Sequence, residues 1–105
     1  MPITTTPKIW MNGELVDWDK AQIHVLTHTL HYGTGVFEGI RIYNGRVFRL
    51  TEHLHRLYDC AKAICLTIPM TFEELEKATV ETVRVSPLST SVSLVVTSPE
   101  ADHPE

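Results

Sequence analysis

The sequence predicts an α+β fold in which two antiparallel hairpins form a sheet and two helices cover it. Three observations predict this class. Asn-Gly pairs stand between apolar runs at two places in the first fifty residues, the apolar period changes from two to about 3.6 after Leu50, and a second helical pattern follows directly. Hairpins followed by helices are typical of helices packed on one face of an antiparallel sheet.

Length and charge exclude several classes of protein. A chain of 105 residues holds one compact unit and excludes a multidomain enzyme. Nine Lys and Arg against thirteen Asp and Glu give a net charge of −4, which does not support a polyanion-binding protein. No apolar run approaches the ~20 residues of a membrane span, and the first residues do not have the pattern of a signal peptide. We therefore expect a cytoplasmic location.

The first hairpin is predicted at Asn12-Gly13, because this dipeptide favours the type I′ turn between two antiparallel strands. The turn pairs Trp10 with Leu15 across the hairpin. Residues 19–31 follow, and their apolar pattern predicts neither a helix nor a strand.

The second hairpin is predicted at Asn44-Gly45, between strand residues 36–43 and returning residues 46–50. Alternation sorts the strand onto two faces. The predicted helix-facing set is Val36, Glu38, Ile40 and Ile42. The opposite set is Phe37, Gly39, Arg41 and Tyr43. This second face combines aromatic rings, a cation and a gap at the glycine, so it fits either a ligand pocket or a solvated sheet face. The pattern alone favours the solvated face.

Two helices are predicted after residue 50. The first has Thr51 as its N-cap, and its buried stripe is Leu54, Leu57, Tyr58, Ala61, Ile64 and Cys65. The second begins at the capping box of Thr71 and Glu74 and extends to about Arg84. We expect residues 1–84 to form the α+β domain. Residues 85–105 differ in pattern and charge, and we expect a stretch that can pair as a strand, 91–97, and a disordered acidic tail.

Cysteines and histidines do not predict a metal site. Cys60 and Cys65 have no metal or redox spacing, and we expect reduced thiols near the core. His24, His28 and His31 have helical spacing that imitates a zinc site, but no cysteine or carboxylate is in register with them. Hydrogen-bonded structural histidines are the favoured interpretation.

Arg56 flanks the buried stripe of the first predicted helix. A guanidinium fork suits bidentate capture of a phosphate. From the residues alone, however, the favoured interpretation is a solvated side chain paired with Glu52 one turn earlier.

Two stretches of the chain resemble the branched-chain amino acid aminotransferases, which are class IV aminotransferases. They are Ile9-Trp10-Met11-Asn12-Gly13-Glu14-Leu15-Val16 and His24 to Arg41, the latter ending in His31-Tyr32-Gly33-Thr34-Gly35-Val36-Phe37-Glu38-Gly39-Ile40-Arg41. The resemblance extends to about Arg84 and implies the small N-terminal domain of that architecture.

The resemblance also implies site residues and a cofactor, pyridoxal 5′-phosphate. Arg56 matches the arginine that binds the cofactor's phosphate. Phe37 and Gly39 match residues beside the branched side chain of the substrate, and Arg41 matches a position near its carboxylate. Tyr32 matches a tyrosine that reaches the pocket of the neighbouring subunit in the family's homodimer. On this ground the pocket interpretation of the face that carries Phe37 becomes the favoured one.

The implied reaction is amino transfer between a branched-chain L-amino acid and 2-oxoglutarate, with the cofactor as electron sink. In the family, the lysine that forms the Schiff base lies in a C-terminal domain. The lysines of this chain are Lys8, Lys20, Lys62 and Lys77, and none matches it. No catalytic residue is therefore predicted. Because the chain departs from the family pattern after residue 84, we expect a truncated or frame-shifted N-terminal domain that is inactive alone.

Two alternatives stay open. Within the same fold, the chain resembles a relative of the D-amino acid aminotransferases or the aminodeoxychorismate lyases. In another functional class, it is a non-catalytic α+β pseudo-subunit that pairs with an intact homologue through the region of Tyr32.

Overall fold

The computed structural model describes residues 5–27 and 33–97. Its strands are β1 (Lys8–Met11), β2 (Glu14–Asp17), β3 (Gly35–Tyr43), β4 (Arg46–Val47) and β5 (Ser91–Thr97). Its helices are α1 (Leu50–Ala63) and α2 (Phe72–Arg84), and a 3-10 turn covers Trp18–Lys20. The predicted α+β class is confirmed. Within the described ranges, neither helix has the length and apolar content that crossing a membrane requires.

Both Asn-Gly turns form as predicted. The φ angles are 53° and 101° at Asn12 and Gly13, and 52° and 76° at Asn44 and Gly45. A type I′ turn requires a positive φ at both central residues, which asparagine tolerates and glycine adopts freely. The predicted register of the first hairpin is confirmed.

The two hairpins lie in separate sheets rather than in the single sheet that was predicted. Strands β1 and β2 form one sheet, and the order in the other is β4-β3-β5. Strand β4 is shorter than the predicted 46–50 and pairs only with Ile42 and Tyr43. It ends early because the chain turns at Phe48 and Arg49 to enter helix α1.

Strand β5 forms over Ser91–Thr97, where the β-propensity of the sequence predicted pairing. It is antiparallel to β3 in a register that runs from Gly35 opposite Thr97 to Arg41 opposite Ser91. Its alternate residues are half-buried on the side of the helices and exposed on the other side. The predicted acidic tail, residues 98–105, lies outside the described residues.

Helix α1 begins one residue before Thr51. Arg49 occupies the N-cap position in the left-handed region, with φ of 53°, and its side chain makes no capping hydrogen bond. The Thr51 hydroxyl instead donates to the Glu76 carboxylate at 3.4 Å. The prediction of Thr51 as the N-cap is wrong. Arg49 takes that position in a left-handed conformation, so the first helical turn begins at Leu50.

The far end of α1 also differs from the prediction. The N–H of Leu66 donates to the carbonyl of Ala61 at 2.8 Å, and Cys65 has φ of 59°. This is a Schellman ending, in which a left-handed residue stops the helix. The predicted buried stripe is therefore correct up to Ala61 and wrong for Ile64 and Cys65, which are exposed. Cys60 is exposed too, so the expected place of the thiols near the core is wrong, although both thiols are free.

Helix α2 begins at the predicted capping box. The Thr71 hydroxyl accepts from the N–H of Glu74 at 3.1 Å, and the Glu74 carboxylate accepts from the N–H of Thr71 at 2.9 Å. The two bonds satisfy N–H groups that no helical carbonyl can reach. The predicted start and end of this helix are confirmed.

The core lies between the helices and one face of the larger sheet. Its buried centre is Leu54 and Leu57 of α1 and Leu75 of α2. Partly buried residues around this centre include Trp10, Val36, Leu94 and Val96. Helix α1 therefore packs directly on β3. The side chains of α1 on this side can reach the helix-facing side chains of the strand.

Candidate functional site

Strand β3 presents the two faces that alternation predicted. Glu38, Ile40 and Ile42 are buried towards the helices, whereas Phe37 is 75% exposed on the opposite face. Gly39 is exposed as well, and a Cβ added there would meet nothing within 4 Å. The glycine thus leaves open space on the exposed side of the sheet.

Glu38 is the polar exception on the helix-facing side, and Arg56 of α1 binds it. The Arg56 Nε donates to Glu38 Oε2 at 2.7 Å, and its terminal Nη2 donates to Oε1 at 2.8 Å. This is a bidentate ion pair, the strong form of a hydrogen-bonded charge pair. The predicted pairing of Arg56 with Glu52 is wrong, because Glu52 lies 3.8 Å from Arg49 instead. A buried carboxylate needs a partner, whereas the exposed Glu52 does not.

His53 is the second partner of Glu38. Its Nδ1 lies 2.6 Å from Glu38 Oε1. His53 and Arg56 are three residues apart on α1, so they lie on the same side of the helix and meet the same strand. An ionised carboxylate can only accept hydrogen bonds, so His53 donates from Nδ1–H.

The surroundings of Glu38 keep its carboxyl ionised. Its pKa is lowered from 4.5 to about 2. The hydrogen bond from Arg56 is the main cause, burial opposes it, and the bond from His53 adds to the lowering. In return, Glu38 raises the pKa of the Arg56 guanidinium. The cluster is therefore an anchored ion pair at neutral pH.

One edge of the Arg56 guanidinium is turned outwards. The side chain of Arg56 is 65% exposed, although that of Glu38 is only 6% exposed. A guanidinium carries five N–H hydrogens, and Glu38 uses two of them. Within residues 5–27 and 33–97, no hydrogen bond to another acceptor engages the remaining three. This donor set, a fixed cation with an open fork, fits a phosphate group.

The exposed face of the sheet has an apolar part and a cationic part. Phe37 stands opposite Val95 of β5, and both side chains are largely exposed. Arg41 lies two positions beyond Gly39 on the same face. Along this face of β3, the apolar side chain of Phe37 is followed by the open space at Gly39 and then by the positive charge of Arg41.

The predicted site residues fall into two groups. Arg56 binds a side chain on the helix-facing side of β3, whereas Phe37, Gly39 and Arg41 lie on the opposite face. Tyr32 lies outside the described residues. The described part of the chain does not bring Arg56 and the other three together in one pocket. A single ligand reaches both groups only around an edge or end of the sheet.

The lysines of the chain make no hydrogen bond to the group formed by Glu38, His53 and Arg56 in the described residues. They are Lys8 in β1, Lys20 in the 3-10 turn, Lys62 in α1 and Lys77 in α2. Lys8 forms an ion pair with Asp17 at the open end of the first hairpin.

Histidines do not gather at a metal site in the described ranges. The Nδ1 of His24 accepts from the N–H of Leu26 at 2.9 Å, and His28 and His31 lie outside the described residues. His55 stacks on Phe72, with ring centroids 4.7 Å apart. No group of three or more His, Cys, Asp or Glu is placed to hold a metal ion in residues 5–27 and 33–97.

Sequence reasoning did not assign a role to Glu38 or His53. Glu38 did appear as the one carboxylate on an otherwise apolar face. Because a buried carboxylate is almost always paired, that position was itself a signal that a cation lies opposite. The signal could not identify Arg56 or His53, since nothing in a linear pattern relates residues on a strand to residues on a later helix.

Comparison with known proteins identifies similar chains. A family model for amino-transferase class IV matches residues 35–103, which contain β3, both helices and β5. A Methanocaldococcus jannaschii protein named provisionally as a branched-chain-amino-acid aminotransferase is 52% identical over 91 residues, covering 86% of this chain and 32% of the relative. The branched-chain-amino-acid aminotransferase of Escherichia coli K12 is 44% identical over 87 residues, covering 79% of this chain and 28% of the relative.

A solved structure has the same backbone arrangement. The crystal structure of a branched-chain amino acid aminotransferase of Escherichia coli superposes with a TM-score of 0.87 at 37% identity. The match covers 93% of this chain and 35% of that one. The chain thus spans about a third of the length of the proteins that it matches.

Proposed function

Since this chain belongs to the class IV aminotransferase family, we propose that it contributes the cofactor-phosphate contact and part of the substrate wall of a branched-chain aminotransferase. The proposed reaction moves the amino group of a branched-chain L-amino acid to 2-oxoglutarate. The names of the similar proteins support this substrate class.

The outward edge of Arg56 is the observation that carries the proposal. A cation with three N–H hydrogens directed away from its anchor suits the dianionic phosphate of pyridoxal 5′-phosphate. The cofactor, when bound, supplies the electron sink that stabilises negative charge at the Cα of the amino acid. The role of Arg56 is to hold the phosphate so that the rest of the cofactor keeps one orientation.

The exposed face of β3 is the proposed substrate wall. Phe37, with Val95 beside it, gives apolar surface against which a branched side chain packs. Gly39 leaves room for that side chain, and Arg41 supplies positive charge for the substrate carboxylate. Tyr32 is proposed to reach the neighbouring subunit of a homodimer.

The proton transfer at Cα needs a base that these 105 residues do not offer in a matching position. None of the four lysines corresponds to the family's catalytic lysine, so we propose that these residues supply the phosphate contact and the substrate wall rather than the proton transfer. We also infer that it works in the cytoplasm, where amino acids and 2-oxo acids are its small-molecule partners.

Binding of the cofactor tests the role of Arg56. Pyridoxal 5′-phosphate and pyridoxal, which has no phosphate, are titrated into the 105-residue chain, and binding is followed by equilibrium dialysis. Arg56→Ala should weaken binding of the phosphorylated compound by about tenfold or more, because a charge-assisted bidentate contact is lost. Binding of pyridoxal should change little. Arg84→Ala, at the exposed end of α2, is the matched control and should bind as the unaltered chain does. Equal binding by the Arg56→Ala variant would refute the proposal.

A further inference from the structure

We propose that Glu38 is a positioning residue for Arg56, holding one edge of the guanidinium so that the other edge meets the phosphate of the cofactor. The inference deepens the proposed function and rests on it, because it assumes that Arg56 binds that phosphate. Glu38 itself does not touch the cofactor. It affects cofactor binding only by holding Arg56 in place through two hydrogen bonds.

Glu38 is suited to this role by its place in the fold. It lies within the longest strand, paired on one side with Leu94 of β5, and its side chain is only 6% exposed. The carboxylate therefore lies next to the core, on a strand that pairs with β5 along seven residues. Arg56, by contrast, ends a long side chain that is 65% exposed and would otherwise sample many rotamers.

The geometry of the pair decides which edge is open. Glu38 occupies the side of the guanidinium formed by Nε and Nη2. The second hydrogen of Nη2 and one hydrogen of Nη1 form the end edge of the guanidinium, and the other Nη1 hydrogen points to the Cδ side. A phosphate bound there meets two parallel N–H groups without displacing Glu38. The anchor and the ligand thus use different edges of the same cation.

His53 fixes the anchor in turn. Its Nδ1 takes a further hydrogen bond to Glu38 Oε1 at 2.6 Å, so the two carboxylate oxygens receive three donors. With both oxygens engaged, the carboxylate cannot rotate away from Arg56 without breaking bonds to α1. His53 therefore supports the orientation of Glu38 rather than contacting the phosphate.

The negative charge of Glu38 also repels a phosphate, so the sign of its net effect needs an argument. The repulsion acts between a buried carboxylate and an anion at an exposed edge, where water makes the effective dielectric high. The gain is that Arg56 does not lose its rotamer freedom when the phosphate binds, because the ion pair has already ordered it. We expect the gain from ordering Arg56 to exceed the screened repulsion, so removal of Glu38 should weaken phosphate binding.

The test compares Glu38→Gln, Glu38→Asp and Arg56→Ala in the 105-residue chain, with Glu81→Gln, an exposed carboxylate of α2, as the control. Pyridoxal 5′-phosphate, pyridoxal and inorganic phosphate are the probes. Glu38→Gln should weaken binding of the two phosphate-bearing probes by about three- to tenfold, the usual effect of ordering one long side chain. Binding of pyridoxal should be unchanged. Glu38→Asp should bind the phosphate-bearing probes more tightly than Glu38→Gln and less tightly than the unaltered chain. A purely structural defect would instead weaken all three probes alike.

An NMR measurement on the unaltered chain keeps the inference testable if a variant does not fold. The Nε–H signal of Arg56 should be protected from exchange and should persist when inorganic phosphate binds, while the Nη signals shift. Exchange of the Nε–H signal at the rate of a free arginine would overturn the inference.

The outcomes also separate this inference from the proposed function. If Arg56→Ala loses binding but Glu38→Gln binds phosphate as tightly as the unaltered chain or more tightly, Glu38 does not position Arg56 and the proposed function stands. If Arg56→Ala binds all probes normally, the proposed function itself is wrong.

Discussion

Glu38 and Arg56, eighteen residues apart in the chain, join strand β3 to helix α1 through hydrogen bonds of 2.7 and 2.8 Å. The carboxylate lies in the interior and the guanidinium lies at the surface. One pair therefore links the packing of the helix on the sheet with the open cation that we propose for phosphate binding. Its contribution to stability can be measured separately from its contribution to binding.

The stability of the chain should fall in acid because of Glu38. Its pKa is about 2 in the folded chain against 4.5 ordinarily, so the unfolded chain takes up the proton first as the pH drops. The stabilisation is fully present above about pH 4.5 and is lost as the pH falls towards 2. We expect a loss of about 1 to 2 kcal/mol over that window, since solvent around Arg56 screens the pair. Urea unfolding at several pH values measures it. Glu38→Gln should show a shallower pH dependence, and identical curves for the two proteins would contradict this origin.

Substitutions on the two faces of β3 should differ sharply in their effect on the free energy of unfolding. Ile40 is 1% exposed and faces the helices, whereas Phe37 is on the open face. Ile40→Ala should lower the free energy of unfolding by about 2 to 5 kcal/mol, because it leaves a cavity. Phe37→Ala should change it by no more than about 0.5 kcal/mol. Thermal and urea unfolding of the two variants provides the comparison. A large loss in the Phe37 variant would mean that this ring supports the fold rather than a ligand surface.

The capping box at the start of α2 should stabilise the chain measurably. Thr71→Ala removes the hydroxyl that accepts from the N–H of Glu74, leaving that donor unpaired. The expected loss is about 1 kcal/mol in the free energy of unfolding. Thr67→Ala, an exposed threonine outside any helix, serves as the control and should unfold as the unaltered chain does. Equal stability of all three proteins would show that the cap is not formed in solution.

The turn between β3 and β4 should tolerate substitution at only one of its two central residues. Gly45 has φ of 76°, and nothing lies within 4 Å of an added Cβ, so a side chain there suffers from backbone strain alone. Gly45→Val should cost about 1 to 2 kcal/mol, because a β-branched residue strongly disfavours the left-handed region. Asn44→Gly at the adjacent position should have a much smaller effect. Chemical denaturation compares the two, and an undisturbed Gly45→Val variant would argue against the type I′ turn.

Local features of the fold were predictable because they depend on neighbouring residues. The turn at Asn12-Gly13 follows from the backbone angles that its two residues adopt readily, and the cap of α2 follows from a hydroxyl and a carboxylate three positions apart. The alternation of β3 is likewise a property of an extended chain. The start of α1 was misjudged because Arg49 adopts a left-handed conformation that its residue type does not favour.

The candidate site was predictable only in part. The sequence singled out Arg56 and the face of Phe37, but it paired Arg56 with Glu52, its nearest acidic neighbour on the helix. The actual partner, Glu38, is buried. Leaving a buried carboxylate unpaired costs much more free energy than leaving an exposed one unpaired, so Arg56 pairs with Glu38 rather than with Glu52. That competition depends on burial, which becomes defined only when α1 packs on the sheet.

The sequence by itself determined the class of the fold, its turns, its second helix cap and the two faces of β3, because short-range backbone preferences and side-chain periodicity decide these features. The tertiary structure decided that the hairpins lie in separate sheets, that β5 pairs with β3, and that Glu38 holds Arg56 with one edge of the guanidinium open. Those arrangements join residues far apart in the chain. They depend on which surfaces are buried together, and the free energy of that burial is a property of the packed molecule rather than of any one segment.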